Sequence, residues 1–106
     1  MPFVNLKDCK EKEPIPGYRG RFIHCESMTI GYWDIDEGAV APEHTHPHEQ
    51  VVNVIEGRLE LTVDGQAQVL EPGLAAVVPG NVPHSAKALS RCRTIEAFCP
   101  VREDLR

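Results

Sequence analysis

Turn-forming residues interrupt this chain at short, regular intervals: Pro14-Ile15-Pro16-Gly17, Asp36-Glu37-Gly38, Glu56-Gly57, Asp64-Gly65, Glu71-Pro72-Gly73, Pro79-Gly80-Asn81 and Leu89-Ser90-Arg91. Glycine frees φ and proline fixes it while removing an N–H donor, so such clusters end regular elements. The spacing leaves room for short strands at residues 21–25, 28–35, 50–55, 59–63, 67–70, 75–78 and 94–98. Residues 58–63 alternate polar and apolar side chains, the period of a strand with one buried face. Asp64-Gly65 then predicts a tight hairpin into residues 66–69. No stretch carries a sustained apolar stripe at helical spacing with a cap. Many short strands at this turn spacing predict an all-β sandwich or barrel.

The 106 residues are read as one domain, 1–106, with enough apolar content (42%) to build a core without cross-links. The net charge of −5 and the lack of a basic stripe argue against nucleic acid as a partner. No apolar run is long enough to cross a membrane as a helix, and the first residues lack the basic-then-apolar order of a secretory signal. A cytoplasmic location is the expectation. Cys9, Cys25, Cys92 and Cys99 form no C-x-x-C pair and are expected to be reduced.

Three of the five histidines fall together in His44-Thr45-His46-Pro47-His48, followed by Glu49-Gln50. On an extended strand, residues i and i+2 project to one face, so His44 and His46 can reach one ion, and Gln50 shares their parity. Neutral imidazole suits several divalent transition metals. Pro47 breaks a strand ladder, which leaves His48 as a rim or supporting residue. A further histidine, His84, follows the turn Pro79-Gly80-Asn81-Val82-Pro83.

These residues resemble the cupin family. Gly38, His44, His46, position 50 and Gly57 fit the spacing of its first motif, and Gly73, Pro79 and His84 fit the second. The resemblance implies a jelly-roll barrel (a double-stranded β-helix) holding one divalent metal, Ni, Zn, Fe or Mn, with His44, His46, Gln50 and His84. Three positions depart from the general pattern: Gln50 stands for the usual Glu, Asn81 for a Gly and Ala88 for an Asn. Glu49, one position early, is expected on the opposite face. Three imidazoles and an amide would leave the ion's charge of +2 uncompensated. That predicts a strong Lewis acid, a preference for an anionic small-molecule substrate, and somewhat weaker metal binding.

The run His44-Thr45-His46-Pro47-His48-Glu49-Gln50, the turn before His84 and the ending Phe98-Cys99-Pro100-Val101-Arg102-Glu103-Asp104 are similar to the small pectin-degradation cupins, which open the ring of 4,5-unsaturated uronates. That group's implicated Asp, Phe and Arg correspond to Glu96, Phe98 and Arg102, and Gln as a ligand fits the same group. The resemblance implies Glu96 as proton carrier, Phe98 as an apolar wall and Arg102 as a fork for the substrate carboxylate. Two other classes stay open: a metal-dependent dioxygenase and a non-catalytic sugar-binding module. A homodimer is expected, because an exposed barrel edge gives a reason to pair. One of Tyr32 and Trp33 must face outward on a regular strand, and His24 is expected to be structural or exposed.

Overall fold

The computed structural model describes residues 2–106 and is built almost wholly of antiparallel strands. They are β1 (Lys12–Ile15), β2 (Tyr18–His24), β3 (Thr29–Ile35), β4 (Val40–His44), β5 (Glu49–Glu56), β6 (Leu59–Val63), β7 (Gln66–Leu70), β8 (Ala75–Val78), β9 (His84–Ala88) and β10 (Cys92–Cys99). Short 3-10 turns lie at Leu6–Asp8 and Glu103–Leu105. A six-stranded sheet in the order β1-β2-β3-β10-β5-β8 faces a four-stranded sheet in the order β4-β9-β6-β7. This is the all-β jelly roll expected from the sequence.

Alternation builds the core. On β3 Thr29, Trp33 and Ile35 face inward, and on β10 Cys92, Thr94, Glu96 and Phe98 do so. Ile35, Val52, Val54, Leu59 and Val78 are almost completely removed from water. Each such side chain contributes about 1.5–3 kcal/mol of burial. That burial pins the register, since a one-residue slip would turn every core residue to solvent. Trp33 is therefore inside and Tyr32 only half-buried. His24 is structural: its ring stacks on Phe22 and its Nδ1 lies 2.9 Å from Thr29 Oγ1.

The seven strands read from the sequence are present, with β5 and β10 extended at both ends and β2 starting three residues earlier. Three further strands, β1, β4 and β9, were not anticipated. Pro14 lies in β1 and Pro42 in β4, and both strands are sheet edges, where a missing N–H costs no ladder bond. At the β6–β7 hairpin Asp64 (φ 49°) and Gly65 (φ 80°) both take left-handed backbone, as a two-residue turn matched to strand twist requires. The C-terminal residues pack down: Leu105 joins the core, and Lys12 Nζ donates to its carbonyl at 2.8 Å. All four cysteines are free. Among the described residues no helix is long and apolar enough to cross a membrane.

Candidate metal centre and cavity

His44 ends β4, His84 opens β9, and the two are register partners across that strand pair, with ring centroids 4.2 Å apart. His46 is not on a strand. It sits in the bend between β4 and β5, so strand parity is not what brings it to His44. The bend is held by its neighbour: Asn81 N–H donates to His46 O at 2.8 Å. Gly80 packs so closely that a Cβ there would lie 2.5 Å from Pro47 O. Asn81 adopts φ 63°, a left-handed conformation that asparagine tolerates, which explains how it replaces the glycine of the general motif.

The three rings share one arrangement. Nδ1 of His44 faces Pro42 O at 2.7 Å, Nδ1 of His46 faces His48 O at 3.1 Å, and Nδ1 of His84 faces Val82 O at 2.8 Å. A carbonyl only accepts, so in each neutral ring Nδ1 carries the proton and Nε2 keeps its lone pair. One ring nitrogen from each histidine lies within 4.8 Å of the others, a group able to hold a metal ion. His84 Nε2 is buried with no hydrogen-bond partner. Burial holds the pKa of His46 down to about 4, with Arg102 and the other rings adding to the effect, and burial also lowers that of His84. Both rings are therefore neutral near pH 7, as ligands must be.

Gln50 is buried on the inner face of β5, and Glu49 beside it is exposed, as parity requires. Gln50 Oε1 lies 3.1 Å from His46 Nε2, and Gln50 Nε2 donates to Glu96 Oε1 at 2.6 Å. With Nδ1 protonated, His46 Nε2 and Gln50 Oε1 are two acceptors facing each other. A cation between them turns that repulsion into coordination. The orphaned His84 nitrogen and this acceptor pair both fit a divalent metal bound by His44, His46, His84 and Gln50. His48 stands outside the three-histidine group; its carbonyl orients His46.

Glu96 and Phe98 both point inward from β10, a central strand paired on both sides. Phe98 is directly opposite Gln50, and Glu96 reaches the same amide from two residues along. Glu96 Oε2 accepts from Thr94 Oγ1 at 2.7 Å. Burial raises the Glu96 pKa, an effect opposed by its bonds to Thr94 and Gln50 and by the Arg102 charge. Arg102 stacks its guanidinium 4.7 Å above the Phe98 ring and grips Asp104 through Nε (3.0 Å) and Nη2 (2.8 Å). Its backbone N–H donates to buried Thr29 Oγ1 at 2.9 Å.

All seven residues singled out in the sequence (His44, His46, Gln50, His84, Glu96, Phe98 and Arg102) line one cavity of about 460 Å³. Sequence reasoning passed over Thr94, Thr29 and Tyr18. Tyr18 also lines the cavity, and its hydroxyl is sealed and unpartnered. Alternation of Tyr18, Gly20 and Phe22 with Arg19 and Arg21 was a signal that could have placed Tyr18 inside.

Comparison with known proteins agrees with this architecture. KdgF from a Halomonas species aligns over all of this chain and 99% of its own length, with 28% identity and a TM-score of 0.90. An RmlC-like cupin from Shewanella frigidimarina aligns over all of this chain and 96% of its own, with 28% identity and a TM-score of 0.92. An uncharacterized protein of Streptomyces coelicolor is 26% identical over 81 residues, 76% of this chain and 77% of that protein. The cupin domain family model matches residues 31–98, well over half of the chain, and the chain belongs to that family.

Proposed function

We propose that this chain is a single-domain metal-dependent enzyme that opens the ring of 4,5-unsaturated uronates. The observation that carries the reading is one cavity in which neutral histidines, a buried carboxyl and an arginine stacked on an aromatic ring converge. The similarity to pectin-degradation cupins and the full-length match to KdgF support the substrate class.

His44, His46, His84 and Gln50 would hold one divalent ion, Ni, Zn, Fe or Mn. When bound, such an ion supplies Lewis-acid stabilisation of carboxylate and enolate oxygens. Arg102 holds the substrate carboxylate: Asp104 occupies its Nε/Nη2 edge and Phe98 its face, and among the described residues Nη1 makes no hydrogen bond, which leaves it for the ligand. Glu96 takes the proton of the anomeric hydroxyl. The ring C–O bond breaks as the anomeric carbon becomes a carbonyl, and the bonding pair passes to the former ring oxygen as an enolate. Returning the proton to the enolate carbon gives the linear 5-keto acid, an isomer of the substrate. Thr94 hydroxyl suits this cycle, because it donates to an ionised Glu96 and accepts from a protonated one without moving. The dry environment of Glu96 raises its pKa toward the range useful for proton transfer. The protein is proposed to act in the cytoplasm as a homodimer.

Loss of the conjugated double bond of unsaturated galacturonate, followed by ultraviolet absorbance, tests the reading. Metal-loaded wild type should accelerate the loss and His84→Ala should not. No acceleration over buffer with Ni, Zn, Mn or Fe would overturn the assignment.

A further inference from the structure

Four neutral donors face the candidate ion, and none of them cancels its charge. The one fully buried acid in the cavity stands immediately behind them: Glu96 is 6% exposed, Gln50 8% and Thr94 2%. The 2.6 Å bond from Gln50 Nε2 to Glu96 Oε1 runs along the inner face between neighbouring strands, with no water-exposed step. Glu96 Oε2 is held in turn by Thr94, so the carboxylate has a fixed position on both oxygens.

We propose that Glu96 is the positioning residue of this metal centre: it fixes Gln50 with its amide oxygen toward the histidines and supplies, one hydrogen bond behind the ligands, the negative charge that they lack. The orientation follows from donor and acceptor chemistry. An amide has one acceptor end and one donor end. A carboxylate oxygen at 2.6 Å accepts the Nε2 hydrogen, which leaves Oε1 as the atom facing His46 Nε2 at 3.1 Å. Rotating the amide by half a turn would set oxygen against oxygen at Glu96 and present hydrogens, which cannot ligate, to the ion. The charge follows from location. In a low-dielectric interior a carboxylate polarises the amide it accepts from and strengthens the partial negative charge on Oε1. The centre is thus closer in charge to the usual glutamate-containing site than its ligand list suggests, which revises the expectation of an uncompensated +2.

This inference rests on the metal reading of the preceding section but not on ring opening, so its test reads metal binding. Wild type, Glu96→Gln, Glu96→Met and the exchange variant Gln50→Glu/Glu96→Gln are titrated with Co(II) against a chromophoric chelator, and their visible spectra are recorded. Thermal melts of the metal-free proteins verify folding. Glu96→Gln keeps the shape and loses the charge, and should bind about tenfold more weakly. Glu96→Met loses charge and hydrogen bond, should bind up to about a hundredfold more weakly, and should shift the Co(II) spectrum as Gln50 leaves the ion. The exchange variant moves the charge onto the ligand and should recover the affinity lost in Glu96→Gln. Wild-type affinity and spectrum in both single variants would overturn the inference while leaving the metal centre standing. Failure of the wild type to bind Co(II) would overturn both.

Discussion

The two polar ends of the cavity are held by different physics. At the histidine end, each ring is fixed by a bond to a backbone carbonyl, and the bend carrying His46 is locked to Asn81 and Gly80 by backbone contact. At the arginine end, the guanidinium is fixed by one side-chain partner, Asp104, whose side chain is 60% exposed, and by the Phe98 ring. These backbone partners lie at the barrel rim, and His44 is exposed there, but a carbonyl at a strand end or in a hydrogen-bonded bend moves only with the backbone that carries it. An exposed ion pair is screened by salt and is worth about 0–1 kcal/mol. The histidine end should therefore behave as a rigid unit in which small changes are costly, and the arginine end as an adjustable contact for a charged ligand.

The largest effect expected is that of His84→Ala. It removes the buried donor that has no other partner, and metal affinity and turnover should both fall by more than about 100-fold, beyond what loss of a supporting residue produces. Metal analysis after gel filtration checks this, with circular dichroism to show that the strands remain. Gly80→Ala comes next. Its new Cβ meets a backbone oxygen that cannot yield, so the His46 bend must shift, and metal affinity should drop by about tenfold although no ligand is altered. Unchanged affinity would mean that this end is not rigid.

Arg102→Lys sharpens the contrast from the other side. It keeps the charge but loses the planar fork, and should raise KM for the uronate by about tenfold with metal content unchanged. A parallel loss of metal would mean that the two ends are not separable. Asp104→Asn should change KM by only about two- to fivefold, and less at high salt, because the carboxylate it removes is 60% exposed although its arginine partner is largely buried.

The smallest effect is on stability against pH. The folded-state pKa of His46 is depressed to about 4 and that of His84 is also lowered, so the unfolded chain binds these protons first as pH falls below about 6.5. The metal-free protein should lose stability from about pH 6.5 downward, levelling off for His46 near pH 4. Glu96 works in the opposite sense: with its pKa raised by burial, its stabilising contribution is present at low pH and is lost as pH rises through that value. Thermal melts of His46→Ala and Glu96→Gln across this window should show a weaker acid-side fall and a weaker alkaline-side fall, respectively.

The strands easiest to read from sequence carry the core, and two of those missed carry ligands. Residues 58–63 and 94–98 announce themselves by alternation and β-branched or aromatic side chains. β4 and β9 do not: Val40-Ala41-Pro42-Glu43-His44 contains a proline, and His84-Ser85-Ala86-Lys87-Ala88 has little intrinsic strand preference. Pairing of β4 with β9, and of β9 with β6, makes them strands, and that is non-local information. The histidines and Gln50 were legible from residue type and spacing, whereas Glu96, Phe98 and Arg102 were legible only through the family resemblance. Their convergence was legible only in part: parity separated Gln50 from Glu49 and put Glu96 and Phe98 on one face without saying which, and it placed His46 on a strand that ends at His44. The bond between Gln50 and Glu96 joins positions 46 residues apart and leaves no local mark.

Ring opening in this cavity is proposed to depend on one divalent ion held by His44, His46, Gln50 and His84. Its most direct test is the rate of unsaturated galacturonate loss by wild-type protein stripped with chelator, then restored with increasing Ni, Zn, Mn or Fe. The stripped rate should lie near that of buffer, and recovery should saturate at one ion per chain. A stripped protein that retains its full rate, or a metal-loaded one that never exceeds buffer, would contradict it.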